Sequence, residues 1–303
     1  MRVTRWFRWR WARRATAILF LTLLAMGTCP WFPWFKGSTT STRLLEAIPL
    51  ADPLAAVEIT LATRQWQPHL VIGAALLIGF CLLMGPVFCG WVCPLGFLLD
   101  LLHSIRSGVM KILGRTRRAR VPGRLPSSLR YAVLGFMLAV SLTARVPAFQ
   151  AVSPINLVGW SWLKLIDGVR RLGFIESGSA IASAIDFLGA GAFVLIGIFV
   201  AELAWPRVWC RCLCPLGALY GWAGRTAPWR ARIDTERAGR ARCARCERHC
   251  PMGIRVMEDY EFAGRTSIDH PDCTRCGACI DSCPRGVLHF GFFNEQEQSE
   301  PPA

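Results

Sequence analysis

Four cysteines near the C-terminal end, Cys273, Cys276, Cys279 and Cys283, are spaced C-x-x-C-x-x-C-x-x-x-C-Pro, with Pro284 closing the run. No other feature of the sequence restricts the fold as strongly. The tight loop lets three thiolates grip one [4Fe–4S] cluster, while the fourth, ahead of the proline, reaches a second. Zinc is the competing reading, but zinc usually takes two separate pairs of ligands. Four cysteines at this spacing ending in proline favour a cluster.

A partner run lies upstream: Cys243, Cys246 and Cys250, followed by Pro251. Counted back from the proline it lacks its first cysteine, and Arg240 holds that place. Crossed ligation assigns Cys250, Cys273, Cys276 and Cys279 to one complete [4Fe–4S] site. Cys243, Cys246 and Cys283 remain for a second site that is one ligand short. A three-iron cluster, a non-cysteine ligand such as His249, an external thiolate or a site without a cluster would each account for the gap. The fold expected for residues 230–292 is a small α+β domain of the bacterial ferredoxin type, with a disordered tail over 293–303.

Upstream of about Arg230 the chain has a different character. It is 53% hydrophobic overall and still carries a formal charge of +15. Apolar spans alternating with basic loops reconcile the two. A nucleic-acid partner is excluded because the arginines flank apolar runs and follow no base-reading module. Four stretches, near Ala15–Phe35, Leu70–Phe88, Leu129–Phe149 and Ile181–Trp205, are apolar over the roughly 20 residues that a membrane helix needs. The first follows a basic segment but ends in Trp31, Phe32, Trp34 and Phe35, which reads as an interfacial anchor and not a cleavage site. Arginines crowd the segment before the first stretch, the loop between the second and third, and the segment after the fourth. The loops 36–69 and 150–180 are sparse in them. The positive-inside rule then puts both termini in the cytoplasm of a bacterial inner-membrane protein. The segment from Ser153 to Phe174 is amphipathic and reads either as surface-lying or as a plain connector.

A repeat is also visible. FCGWVCPLG follows the second stretch and WCRCLCPLG the fourth. The expected fold is therefore an α-helical membrane protein: four transmembrane helices as a duplicated hairpin over 1–229, then the α+β ferredoxin-like domain. Within the repeats, Cys89 and Cys93, and Cys210 and Cys214, stand four apart. On one helix their Cβ atoms would lie about 5–6 Å apart, too far for the roughly 3.8 Å of an unstrained disulfide. A lone pair of this kind would read as structural. The same Cys-Pro-Leu-Gly ending in both copies favours metal ligands or redox-active thiols. Cys212 has no counterpart in the first copy, where Trp91 stands. Cys29 and Cys81 lie inside apolar stretches and read as small hydrophobes.

Taken together, FCGWVCPLG, WCRCLCPLG, CARCERHCPMGI and CTRCGACIDSCPRG make the chain resemble the NapH/NosR-type membrane polyferredoxins, a family that includes MauN-like proteins. The short NapH- or MauN-like form is the closer match, since no periplasmic flavin-binding domain is present. The resemblance implies a quinol dehydrogenase component or electron donor working with quinone or quinol and with a ferredoxin, cytochrome or periplasmic reductase. The alternative it implies is a maturation factor that supplies electrons while a periplasmic metalloenzyme is assembled. A redox sensor is a third reading, against which stands the lack of any visible signalling domain. No histidine stands in the middle of an apolar stretch, so no haem ladder is expected.

Overall fold

The structure, a computed structural model, describes residues 8–26, 35–37, 41–44, 48–112, 128–158, 195–203, 205–234 and 243–292. Among these residues no helix is long and apolar enough to cross a membrane. This corrects the expectation of four transmembrane helices, and the reasons are local. Helix α1 (Trp9–Met26) starts six residues ahead of the apolar stretch and so takes Arg10, Arg13 and Arg14 into its first turns. Helix α3 (Pro68–Met84) has 17 residues. At 1.5 Å per residue it rises about 26 Å, against roughly 30 Å of hydrocarbon. It stops at Gly85, whose φ is +74°, and Pro86 bars its continuation. The chain turns there into the short helix α4 (Val87–Trp91) and then α5 (Pro94–Ile112). Helix α6 (Leu129–Ala144) has 16 residues and ends at Arg145 in the left-handed region. A short helix, α7 (Ala148–Val152), follows it. The fourth apolar stretch is described only from 195 onward, with 195–203 helical. Most of the amphipathic segment, Cys29 and the tail 293–303 lie outside the described residues.

The sparse loop between the first two apolar stretches is more than a connector. Strands β1 (Phe35–Gly37), β2 (Ser41–Leu44) and β3 (Ile48–Ala51) pair antiparallel in that order. Helix α2 (Pro53–Thr63) follows. Its start is determined by two residues: Asp52 accepts from the Leu54 amide at 2.9 Å, and Pro53 occupies the first helical position, where a missing N–H costs nothing. Glu58 on α2 is fully buried. Its Oε1 accepts from the Ser141 hydroxyl at 3.2 Å and the Phe149 amide at 3.0 Å, tying α2 to α6 and α7.

After a π-helical turn (Trp209–Leu213) comes α8 (Pro215–Ala223), and then the ferredoxin-like module. Its strand β4 (Arg230–Ile233) pairs antiparallel with β5 (Leu288–Gly291), with Arg230 opposite Gly291 and Ile233 opposite Leu288. Two one-turn helices, α9 (Arg245–His249) and α10 (Ala278–Ser282), carry the cysteine runs. Ile233, Ile254, Val256, Tyr260, Ile268 and Leu288 form its core.

Polar contacts fasten this module to the rest. Arg130 of α6, 2% exposed, pairs with Asp272. The guanidinium of Arg275 donates to the carbonyls of Met84 and Gly224, the latter at 3.1 Å. It passes over Gly85, where any Cβ would collide with it. Asp281 accepts from the backbone amides of Trp9 and Arg10, each at 3.0 Å, and so caps α1 from the far end of the chain. Trp9 lies against Gly277, whose φ of +73° and lack of a side chain admit the ring.

Candidate metal centre

The cysteine-rich loop closes on itself because Gly277 takes a left-handed conformation just before α10 and Arg275 another just before Cys276. The result is a cavity lined by Cys250, Cys273, Cys276 and Cys279. Three of these thiols come from one run and Cys250 from the other, and apolar side chains such as Ile254, Val256 and Phe290 complete the wall. Backbone N–H groups of Met252 and Ile254 point at the Cys250 sulfur, and that of Arg275 at Cys273. Burial pushes the Cys250 thiol up to about 12 and Cys273 to about 11, and raises Cys279 well above its ordinary value. Buried thiols of this kind hold their protons until a cation replaces them, so loading the site releases protons.

Among the described residues no group of three or more His, Cys, Asp or Glu side chains is arranged to hold a metal ion. The four thiols nonetheless ring one cavity. A [4Fe–4S] cluster takes four thiolates, one on each of its four irons. Apolar walls, four sulfurs and N–H···S donors fit such a group.

The second set is more open. Cys246 is 6% exposed and has Cys243 as an electrostatic neighbour, while Cys283 packs on the same core. Cys243 itself is exposed. His249 bonds the Arg245 carbonyl through Nδ1 at 2.9 Å and lines an outer cleft of α9. Arg240 lies outside the described residues.

The repeats build a third group. Their cysteines do not share one helix face, as the four-residue spacing suggests. In each copy the chain turns between them, and the second cysteine starts a new helix. Cys89 lies in α4 and Cys93 precedes α5; Cys210 lies in the π-turn and Cys214 precedes α8. The Cys214 sulfur accepts from the Gly217 amide at 3.3 Å. Cys93 receives the amides of Gly96 and Leu95 in the same way. The glycine of each Cys-Pro-Leu-Gly packs on the carbonyl of the first cysteine: a Cβ on Gly96 would lie 3.0 Å from the Cys89 oxygen, and one on Gly217 3.4 Å from that of Cys210. The two copies therefore repeat a local structure as well as a motif. They also converge, since Cys89 has Cys93, Cys214 and Cys210 as electrostatic neighbours. Burial raises all four thiols, Cys210 to about 11. The Arg207 guanidinium works against that rise at Cys93 and Cys210. Cys81 lies close by and donates to the Tyr220 carbonyl at 3.4 Å.

Arg275, Arg130 and Asp281 carry no spacing signal in the sequence. Their roles depend on residues that are distant in the chain. Asp52-Pro53, in contrast, is a helix-start signal hidden in a stretch that otherwise reads as a loop.

A paired cysteine-run module and a duplicated Cys-Pro motif beside it define an iron–sulfur protein of the polyferredoxin class. Comparison with known proteins agrees. Residues 66–112 and 187–233 match a family described as a 4Fe-4S binding domain, and 241–288 match a 4Fe-4S dicluster domain. The ferredoxin-type protein NapH of Haemophilus influenzae is 30% identical over 92% of this chain and 88% of its own length. The methylamine utilization ferredoxin-type protein MauN of Methylorubrum extorquens is 29% identical over 93% and 88%. The putative electron transport protein YccM of Escherichia coli is 27% identical over 92% and 75%. No solved structure matches. The chain belongs to the NapH/MauN-like family of ferredoxin-type proteins, binds 4Fe–4S clusters and transfers electrons.

Proposed function

We propose that the chain passes electrons between the quinone pool and a partner redox protein of a respiratory or periplasmic oxidoreductase system, at the bacterial inner membrane with both termini in the cytoplasm. In this reading Cys250, Cys273, Cys276 and Cys279 hold one cluster, and Cys243, Cys246 and Cys283 bind a second. Cys89, Cys93, Cys210 and Cys214 form one shared site. Bound clusters supply one-electron steps. The chain's own residues hold the sulfurs, exclude water and set the distances between centres.

The observation that carries the reading is the position of Cys210. It packs against the module core that contains Cys250, Cys273 and Cys279, and also against the second core, which contains Cys89, Cys93 and Cys214. The two thiol groups are thus contiguous. A lipid partner is supported by a stripe of exposed apolar side chains on α3: Ile72, Leu76, Phe80 and Leu83, between 48% and 62% exposed. Side chains spaced this way share one helix face.

The test is reduction of the anaerobically purified, brown protein by duroquinol, followed by EPR. A [4Fe–4S] signal with duroquinol supports the reading. A signal with dithionite but none with duroquinol removes the quinone half and leaves the electron carrier. For location, a periplasm-active reporter fused after Ala303 is expected to stay silent, and activity there would overturn the cytoplasmic C-terminus.

A further inference from the structure

Between the start of α1 and the module lies a polar cleft of about 550 Å³. Arg8, Arg10, Arg14, Arg245, Arg248 and His249 line it. The cleft also contains one carboxylate, Asp281, and both of its oxygens are used by the Trp9 and Arg10 amides. Among the described residues Arg8, Arg10 and Arg245 have no carboxylate partner. Arg14 donates to the Ser104 hydroxyl, and Arg248 to the Ala244 and Cys243 carbonyls. These contacts are to neutral groups, so Asp281 is the one carboxylate that lines the cleft against its five arginines.

A concentration of like charge lowers stability through self-repulsion unless a counter-charge arrives. The location indicates where that charge comes from. One wall of the cleft is α9, the helix between Cys243 and Cys250, and Cys243 is the exposed thiol of the set. A partner seated in the cleft stands over the outward edge of the module, where an electron has the least protein to cross.

We propose that this cleft is the docking site for an acidic electron-carrier protein, whose carboxylates enter among the arginines. The proposal rests on the electron-transfer reading above and names the surface used. A basic cleft steers an acidic partner and speeds its encounter, and salt screens the effect.

The experiment uses full-length, cluster-loaded protein and a reduced, acidic plant-type ferredoxin as probe, with electron exchange followed by stopped flow at increasing ionic strength. The second-order rate constant of the wild type is expected to fall steeply with salt. Arg245→Glu/Arg248→Glu, and separately Arg8→Glu/Arg10→Glu on the opposite wall, are each expected to lower it at least tenfold at low salt and to flatten or reverse the salt dependence. Iron content and EPR amplitude serve to normalise the rates. Reduction by the methyl viologen radical cation, which a basic cleft does not attract, should not fall in either variant. Exchange that is absent, salt-independent or unchanged in both variants overturns the proposal while the clusters remain reducible. Loss of flotation with phosphatidylglycerol vesicles, with exchange kinetics unchanged, would also overturn it and assign the cleft to lipid headgroups. A protein without a reducible cluster would instead defeat the electron-transfer reading itself.

Discussion

Arg275 is a charged residue that is 4% exposed, in a loop of thiols. Burial lowers its pKa to about 10, and the neighbouring Cys273 acts against that shift. It stays protonated at neutral pH and places a positive charge beside the cluster ligands. Arg275→Gln removes that charge. The midpoint potential of the nearest cluster is expected to fall by roughly 50–100 mV, the size a unit charge has at cluster range with an effective dielectric constant near 20. An EPR-monitored redox titration reads the shift, and an unchanged potential would show that Arg275 only holds the fold. A second buried charge makes a contrasting case. Replacing Arg130 by Met takes the guanidinium from the buried Asp272 and leaves it only His270 Nδ1 at 3.9 Å, which costs about 3–5 kcal/mol. Arg130→Met/Asp272→Leu removes both charges, so its chemical denaturation midpoint is expected to recover most of that loss.

At the scale of elements, α2 and the helices that follow each Cys-Pro carry the next predictions. Asp52, at the start of α2, is raised by burial from 3.8 to about 7. The folded chain therefore binds more protons at this group than the unfolded chain between those values. The stabilisation is complete below about pH 4 and is lost as pH rises through about 7. Asn caps helices as well as Asp does, so Asp52→Asn should keep α2 and flatten the thermal stability between pH 5 and pH 8, where the wild type declines. At α8, Ser is itself a favoured cap, so Cys214→Ser retains the bond from the Gly217 amide and loses the soft ligand. Cys93→Ser does the same at α5. Both variants are expected to keep their circular dichroism and lose the same amount of iron, because members of one site act together. Normal iron in either would make these cysteines structural. Each cysteine run is legible as a motif because its spacing is short-range: a few residues, a proline and a glycine set the local turn, while the meeting of one run with another depends on the fold. Helix lengths were less legible. Mean hydropathy counts apolar residues across Gly85-Pro86 and Arg145 without registering that the backbone turns there. Helix α2 was missed because the partners that bury Glu58, Ser141 and Phe149, are more than eighty residues away.

For the whole molecule, the question is how two thiol groups come to lie against each other. Contiguity depends on close backbone approach. Gly90 of α4 sits so near the Thr274 carbonyl that a Cβ would lie 2.5 Å from the oxygen. Beside it the Trp91 indole donates to the Arg275 carbonyl at 3.1 Å. Trp91 also meets Trp9 edge to face at 5.8 Å, and Trp9 meets Phe290 at 4.9 Å, closing an aromatic wedge on the same seam. Both faces of the seam carry cysteines: Cys89 precedes Gly90, and Cys273 and Cys276 flank Thr274 and Arg275. Backbone oxygen cannot rotate away as a side chain does, so Gly90→Ala must push α4 and the loop apart. The local turns that hold the sulfurs of each cysteine run do not include this contact. The variant is therefore expected to contain the wild-type amount of iron and to show both sets of signals on full reduction. Electrons entering at one group should then reach the other more slowly, by about tenfold or more, when freeze-quenched samples are followed by EPR after sub-stoichiometric reduction. Trp91→Phe, which removes the indole bond and keeps the close approach, should slow the transfer less. If Gly90→Ala equilibrates the two groups as fast as the wild type, the seam is not the electron route, and the contact through Cys210 becomes the path to test.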